Sequence, residues 1–395
     1  MQGGVIMDIR KEHPQYKKAL RALQTGGSLP PAIKIQGNKA NPQYQRIGRS
    51  LKQMFPNRRV IEPFGGASGL SLGMRPEQSV LMDINPDLAS FHQRLIRDPE
   101  SLEFDPEEFT YQAGDSVMMP NQNTGEMMDL GKIPQSMVDD MGGKPFFMGP
   151  KFYELRQEFN ELREKEAIGV IAQSERQRKD QLFLVLQHMA MNGLLRYSPS
   201  TPSYFNKWNS SIRFTGNKPI DQGFESSYFD MMGDQPSRLK PGKGNTFRPQ
   251  TLLGGKGRWK LDPWAEVMQD WEYLNRPLDE QLSSDIGIDP SEDMFLLDPP
   301  YLGEEGALNF FTMDDQRKTL AMIDALKDAA FPTVVFNSFE PAIVDPMKQM
   351  GFDIHELQRK ETSGGKGAVR GRKSELMGMA NIDQDIFQNV WDQMG

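Results

Sequence analysis

Residues 60–74 read VIEPFGGASGLSLGM. Val60 and Ile61 look like a strand end, Gly65–Gly69 a tight turn, and Leu70–Met74 the start of a helix. Glycines between a strand and a helix permit positive φ and let the backbone approach a ligand closely. The next apolar run, Ser79-Val-Leu-Met-Asp83, predicts a second strand that ends in an acid. In a doubly wound α/β fold, an acid about twenty residues past such a turn can hydrogen-bond ribose hydroxyls. The turn is not GxGxxG, and no Lys-Ser or Lys-Thr pair follows it, so a dinucleotide or ATP is not favoured. A short turn without a phosphate cradle suits a nucleoside without phosphates, such as S-adenosylmethionine. A glycine-rich turn in a fold that binds something else is the alternative.

Working outward, Ile47, Leu51 and Met54 recur at helical spacing in 43–54, and Asn85-Pro86 opens a helix over 86–97. Strands are expected again at 294–297 and 333–336, with a helix at about 314–329 between them. That is a βαβ unit and implies a parallel sheet. Residues 105–150 shift to Gly, Met, Asn and Asp and read as loop-rich. Two helical patterns fill 151–195, and 198–262 return to loop character. The expected organisation is a poorly ordered lead-in over 1–30, with a short helix around 11–24. The α/β core then occupies 31–100 and 265–395, and an inserted helical, loop-rich region occupies 101–264.

Cysteine is absent and the four histidines are scattered, which argues against thiolate chemistry and a zinc site, so no metal is expected. No apolar run approaches the ~18 residues of a membrane span, and no leader pattern opens the chain, so a cytoplasmic protein is expected. The net charge of −8 runs against a uniformly basic nucleic-acid binder. Phosphate contacts need only a local basic face, however.

The second candidate site is MFLLDPPY, residues 294–301, an apolar strand running into a carboxylate, two prolines and an aromatic. The exocyclic amine of a nucleobase is a poor nucleophile because its lone pair is delocalised into the ring. Asp298 and the Pro299 carbonyl could both accept hydrogen bonds from that amine and free the lone pair. Pro299 and Pro300 fix the backbone and surrender their N–H groups. Tyr301 is placed to stack on a base taken out of the helix. A proline-rich turn without chemistry is the bland alternative.

These residues resemble the Dam-type DNA adenine-N6 methyltransferases, the α-class D12 family, including its phage members. The likeness covers roughly residues 33–97, 151–209 and 294–380. Ile35-Gln-Gly37-Asn-Lys39 resembles the family's N-terminal cofactor segment. Glu62-Pro63-Phe64-Gly65-Gly66 is similar to its glycine turn, and Leu81-Met-Asp83-Ile84-Asn-Pro-Asp-Leu88 to its second strand end. Asp298–Tyr301 matches the catalytic tetrapeptide, and Trp271-Glu-Tyr273 is similar to the strand whose aromatic packs on the cofactor adenine. His188–Tyr197 resembles a segment that reaches DNA, which gives Asn192 and Arg196 a DNA-contact role. Phe205-Asn-Lys207-Trp-Asn209 stands where the family has F-N-x-P-F-G, without the proline. Residues 363–376 resemble its late basic loop and final strand.

The resemblance implies a Rossmann-like methyltransferase sheet with an inserted target-recognition domain. The implied cofactor is S-adenosylmethionine, held by Ile35, Gly37, Lys39, Pro63, Phe64, Gly65, Gly66, Asp83, Ile84, Tyr273 and Asp298. The substrate would be duplex DNA and the expected state a monomer. Between 236 and 261 lie seven basic residues and no acid, and a second basic cluster follows at 366–373. Lys207, Arg248, Lys256, Arg258, Arg370, Arg372 and Lys373 are therefore candidate DNA contacts; the alternative is solvated loops. Arg196 could pair with guanine or sit in a structural salt bridge. The expected activity is N6 methylation of adenine by base flipping, with cytosine-N4 methylation and a non-catalytic DNA-binding protein as rivals.

Overall fold

The computed structural model describes residues 14–33, 35, 39–104, 106–120, 127–140, 149–190, 197, 261–279, 282–301, 312–360 and 372–393. The strands are β1 (Arg59–Glu62), β2 (Ser79–Asp83), β3 (Ser116–Pro120), β4 (Met127–Lys132), β5 (Trp271–Asn275), β6 (Asp293–Leu297), β7 (Thr333–Ser338), β8 (Asp353–Lys360) and β9 (Arg372–Ala380). The helices used below are α1 (Pro14–Thr25), α2 (Pro42–Met54), α3 (Gly69–Met74), α4 (Pro86–Arg97), α5 (Gln135–Asp140), α6 (Gly149–Ala167), α7 (Gln173–Met189), α8 (Met313–Asp328), α9 (Pro341–Gln349) and α10 (Gln384–Gln393). The chain divides into two compact units, Met1–Leu20 with Asp98–Pro263, and Arg21–Arg97 with Trp264–Gly395.

The second unit is built on a seven-stranded sheet of order β5-β2-β1-β6-β7-β9-β8. The pairs from β5 through β7 are parallel, and β9 runs antiparallel to both β7 and β8. The order and the parallel pairs are those of the Rossmann-like sheet expected above. Alternation distributes the apolar residues of each central strand to both faces. Val60, Met294, Leu296, Val334 and Phe336 join α2, α3 and α10 on one face. Ile61, Phe295, Leu297 and Val335 join α8 and α9 on the other. A strand covered on both faces reads as a continuous apolar run, which is why MFLL and TVVF were legible. Each such buried side chain contributes about 1.5–3 kcal/mol.

The chain leaves β1 in one direction to β2 and β5, and later in the other to β6 and β7. The switch point therefore lies between β1 and β6, and the crevice beyond the carboxyl ends of such strands is where open α/β sheets bind ligands.

The short helix expected around 11–24 is α1, while the surrounding segment, read above as a poorly ordered lead-in, buries Ala19, Ala22 and Leu29. Arg75 Nη1 donates to the carbonyls of Ala22 and Gly27 at 2.9 Å each, and Leu29 N–H to Leu72 at 3.1 Å. Long-range contacts order a segment whose local composition is polar.

The first unit contains the paired helices α6 and α7, as expected. Phe159 stacks on Phe183 with centroids 6.0 Å apart, and Arg178 Nε donates to Glu158 at 2.8 Å. The region expected to be loop-rich is more regular than its composition suggested. It contains the antiparallel hairpin β3–β4 and helix α5, over buried Phe104, Phe109, Tyr111 and Val117.

Candidate active site

The glycine turn sits at the carboxyl end of β1, clasped from the neighbouring strands. Gly65 N–H donates to the Met82 carbonyl at 2.7 Å. A side chain at Gly65 would meet Met82 O and Tyr273 Oη at 3.2 Å, so the close approach needs glycine. Gly66 has φ +47, and its N–H donates to Asp83 Oδ2 at 3.1 Å. Tyr273 Oη donates to the Gly66 carbonyl at 3.0 Å. Asp83 Oδ1 accepts from Asn85 N–H at 2.8 Å. Burial pushes the Asp83 carboxyl up to about 6, against the pull of the Asn85 and Gly66 amides. Glu62, below the turn, accepts from the Ser71 amide at 3.2 Å and from the Ser71 hydroxyl. Burial raises its carboxyl to about 8 despite those bonds.

Next to β1, strand β6 delivers Asp298. Lys39 Nζ lies 2.7 Å from Asp298 Oδ1 and 2.8 Å from Oδ2, and donates to Tyr301 Oη at 2.9 Å. The same ammonium is 3.3 Å from Glu375 Oε1, and Tyr301 Oη donates to that oxygen. Lys39 is 3% exposed and Asp298 19%. Burial alone would lower the Lys39 pKa, but Asp298, Tyr301 and Glu375 more than offset it and hold it above the usual lysine value. Burial raises the Glu375 carboxyl, with Lys39 opposing. The site is thus two carboxylates and an aromatic hydroxyl locked around one buried cation, beside the glycine turn.

Residues 37–129 match the family model of the D12 class N6 adenine-specific DNA methyltransferases. The chain carries an adenine-specific DNA methyltransferase domain. The matched stretch contains the glycine turn and Asp83, while Asp298 and Glu375 lie beyond it. No curated protein matches the chain. The substrate of the methyltransferase is DNA. Among the described residues, no helix is long and apolar enough to cross a membrane, and no group of three or more His, Asp or Glu could hold a metal ion.

The structure brings Pro63, Phe64, Gly65, Gly66, Asp83 and Tyr273 together around the turn, and Lys39 to Asp298 and Tyr301. Pro299 is buried and Pro300 exposed. Ile84 is 57% exposed next to Asp83, and Ile35 is half-buried. Lys39 places its ammonium on the tetrapeptide, and its backbone lies against Gly69. Tyr273, expected to pack on the cofactor adenine, is 1% exposed and stacked on His92, centroids 4.4 Å apart and planes 6° from parallel. A buried ring with its hydroxyl spent on Gly66 holds the turn from beneath. Gly37, Asn192, Arg196, Lys207, Arg248, Lys256, Arg258 and Arg370 lie outside the described residues; Arg372 and Lys373 are described only as backbone of β9.

Sequence reasoning missed Glu375 and His92. The signal for Glu375 was an acid opening the apolar run LMGMA. For His92 it was a lone imidazole on the apolar side of an amphipathic helix.

Proposed function

We propose that the methyltransferase takes its methyl group from S-adenosylmethionine and delivers it to N6 of an adenine turned out of duplex DNA. Asp298–Tyr301 is the catalytic tetrapeptide in this reading. What supports it most is one juxtaposition: Asp298 leaves β6 at the switch point, directly beside the glycine turn that leaves β1.

The residues at the turn fit this cofactor. Gly66 leaves the backbone open to close approach, Asp83 keeps acceptor lone pairs for ribose hydroxyls, and exposed Ile84 offers apolar surface to an adenine ring. Phe64 and Ile35 line the same assignment. When bound, S-adenosylmethionine supplies an electrophilic methyl group.

Adenine N6 is hydrogen-bonded within the duplex, so the base must leave the stack before it can react. Tyr301 then stacks the extruded base. A carboxylate offers about four lone-pair positions. Lys39 takes one on each Asp298 oxygen, and the others remain for an amine N–H. Asp298 and the Pro299 carbonyl accept from the two N6 protons, which draws the lone pair out of the ring. The Lys39 ammonium holds both Asp298 oxygens in place, so the carboxylate presents its remaining lone pairs in a fixed direction. Duplex contacts are assigned to Asn192, Arg196, Lys207, Arg248, Lys256, Arg258, Arg370, Arg372 and Lys373.

The test incubates the purified full chain with unmethylated duplex DNA and S-adenosylmethionine, then measures modified nucleosides by mass spectrometry. N6-methyladenine is expected, and N4-methylcytosine would overturn the base assignment. Asp298→Ala should abolish turnover while calorimetric binding of S-adenosylhomocysteine persists. Asp83→Ala should weaken that binding by about tenfold, the worth of a good hydrogen bond to a charged group. Loss of binding in Asp298→Ala would refute its role, and unchanged binding in Asp83→Ala would refute the cofactor placement.

A further inference from the structure

We infer that Glu375 is a positioning residue for methyl transfer: it anchors the Tyr301 hydroxyl and shares the charge of Lys39 with Asp298. This inference rests on the catalytic reading of Asp298–Tyr301. Glu375 lies near the start of β9, paired with Ser338 on β7 and Leu357 on β8. Its side chain is 3% exposed, on a strand flanked by β7 and β8. A carboxylate placed there is costly to bury unless it is bonded and balanced. Here it accepts from Tyr301 Oη and lies 3.3 Å from Lys39 Nζ.

Two consequences follow for the reaction. Tyr301 is the residue that must hold the extruded base, and its hydroxyl is fixed at one end by Glu375 and at the other by Lys39. The ring plane is therefore set before the base arrives, which lowers the cost of ordering it. Asp298 must accept from a weakly acidic amine. Lys39 paired with Asp298 alone would place its full positive charge against both acceptor oxygens. A second carboxylate draws part of that charge away and leaves Asp298 the stronger acceptor. Glu375 touches neither the amine nor the methyl group, and acts through the two side chains that frame them.

The test compares the full-length wild type with Glu375→Gln, Glu375→Asp and Tyr301→Phe at saturating DNA and cofactor. Glutamine keeps the shape and an acceptor oxygen but removes the charge. For Glu375→Gln, kcat should fall by about tenfold or more, the scale of one charge-assisted contact. KM for DNA and the dissociation constant for S-adenosylhomocysteine should stay within about threefold, a change under roughly 1 kcal/mol. Glu375→Asp, which retains the charge, should recover part of the loss. Tyr301→Phe keeps the stacking ring and loses only the anchored hydroxyl, so its kcat should also fall with binding retained. Combined with Glu375→Gln, it should cost less than the product of the two single effects.

A role confined to packing predicts near-wild-type kcat for Glu375→Gln, and that result overturns the inference. If Glu375→Gln does not fold, a wild-type kcat in Tyr301→Phe overturns it equally. Should the wild type make no N6-methyladenine, or Asp298→Ala stay active, the catalytic reading itself fails and the inference falls with it. N6-methyladenine from the wild type, an inactive Asp298→Ala and a fully active Glu375→Gln together refute the inference alone.

Discussion

Replacing Lys39 with methionine removes one charge and leaves the apolar stem nearly intact. The ammonium makes contacts of 2.7, 2.8 and 2.9 Å to Asp298 and Tyr301, with Glu375 at 3.3 Å. Without it, two carboxylates share a largely buried space with no counter-charge. Breaking a buried pair from one side costs about 3–5 kcal/mol. Asp298 is 19% exposed and partly screened, which points to the lower end, about 3 kcal/mol. At about 2–4 °C per kcal/mol for a unit of this size, the melting temperature should drop by roughly 6–12 °C. The loss should depend on pH with a definite sign. Glu375 already sits above the usual carboxylate range because of burial, and removing Lys39 takes away the group that opposes this rise. An acid whose folded-state pKa is raised has its stabilising effect fully present at low pH and loses it as pH rises through that pKa. Lys39→Met should therefore be closer to wild type at pH 5 than at pH 8. Calorimetry at both pH values measures the shift, and binding of S-adenosylhomocysteine should survive while turnover falls. A melting temperature within about 2 °C of wild type at both pH values would refute the clamp. So would loss of cofactor affinity with turnover retained at saturating cofactor, which would return Lys39 to the cofactor.

Three further outcomes are expected. Gly65→Ala should destabilise by about 1–3 kcal/mol, an overpacking cost, because its methyl group would lie 3.2 Å from Met82 O and Tyr273 Oη; chemical denaturation measures it, and an unchanged midpoint contradicts the close approach. Binding of S-adenosylhomocysteine should weaken as pH falls through about 6, where Asp83 gains a proton, and Asp83→Asn should flatten that dependence in calorimetric titrations. Burial lowers the His92 pKa to about 4, while its Nδ1–H donates to the Leu88 carbonyl at 2.9 Å. The stability this buried neutral imidazole contributes is present above its usual 6.5 and is lost as pH falls through about 4, a loss on the order of 3 kcal/mol. Melting curves of wild type and His92→Phe over that range should diverge, and parallel curves would refute the account.

The parts of the fold legible in the sequence were those whose residues are buried on both sides. MFLL and TVVF needed no knowledge of their neighbours, because every residue faces protein. Strand β8 escaped notice for the opposite reason. It is the sheet's edge, and DIHELQRK carries only two apolar residues, Ile354 and Leu357, three positions apart, so no period-two pattern marks it. The hairpin β3–β4 was hidden in methionine-rich composition, where distant partners decide the structure. The site divides in the same way. Asp83 and Asp298 could be picked out because each ends an apolar strand. The meeting of Lys39 with Asp298, 259 positions along the chain, has no local signal.

What brings Glu375 to Asp298 and Tyr301 is the direction of a single strand. β1, β2 and β6 are parallel, so their carboxyl ends bring the glycine turn, Asp83 and Asp298 to one edge of the sheet. A parallel β9 would carry only its last residues to that edge and leave its first ones at the opposite side. Because β9 is antiparallel to β7, its opening residues lie beside the end of β7, and Glu375 pairs with Ser338 there. The acid is thereby delivered to the edge where Tyr301 emerges from β6. Reversing that one strand would keep every apolar contact type in the core and separate Glu375 from Tyr301 and Lys39. The antiparallel turn-back at the end of the sheet, a feature of topology alone, is therefore what makes the four-residue cluster geometrically available to the methyltransferase.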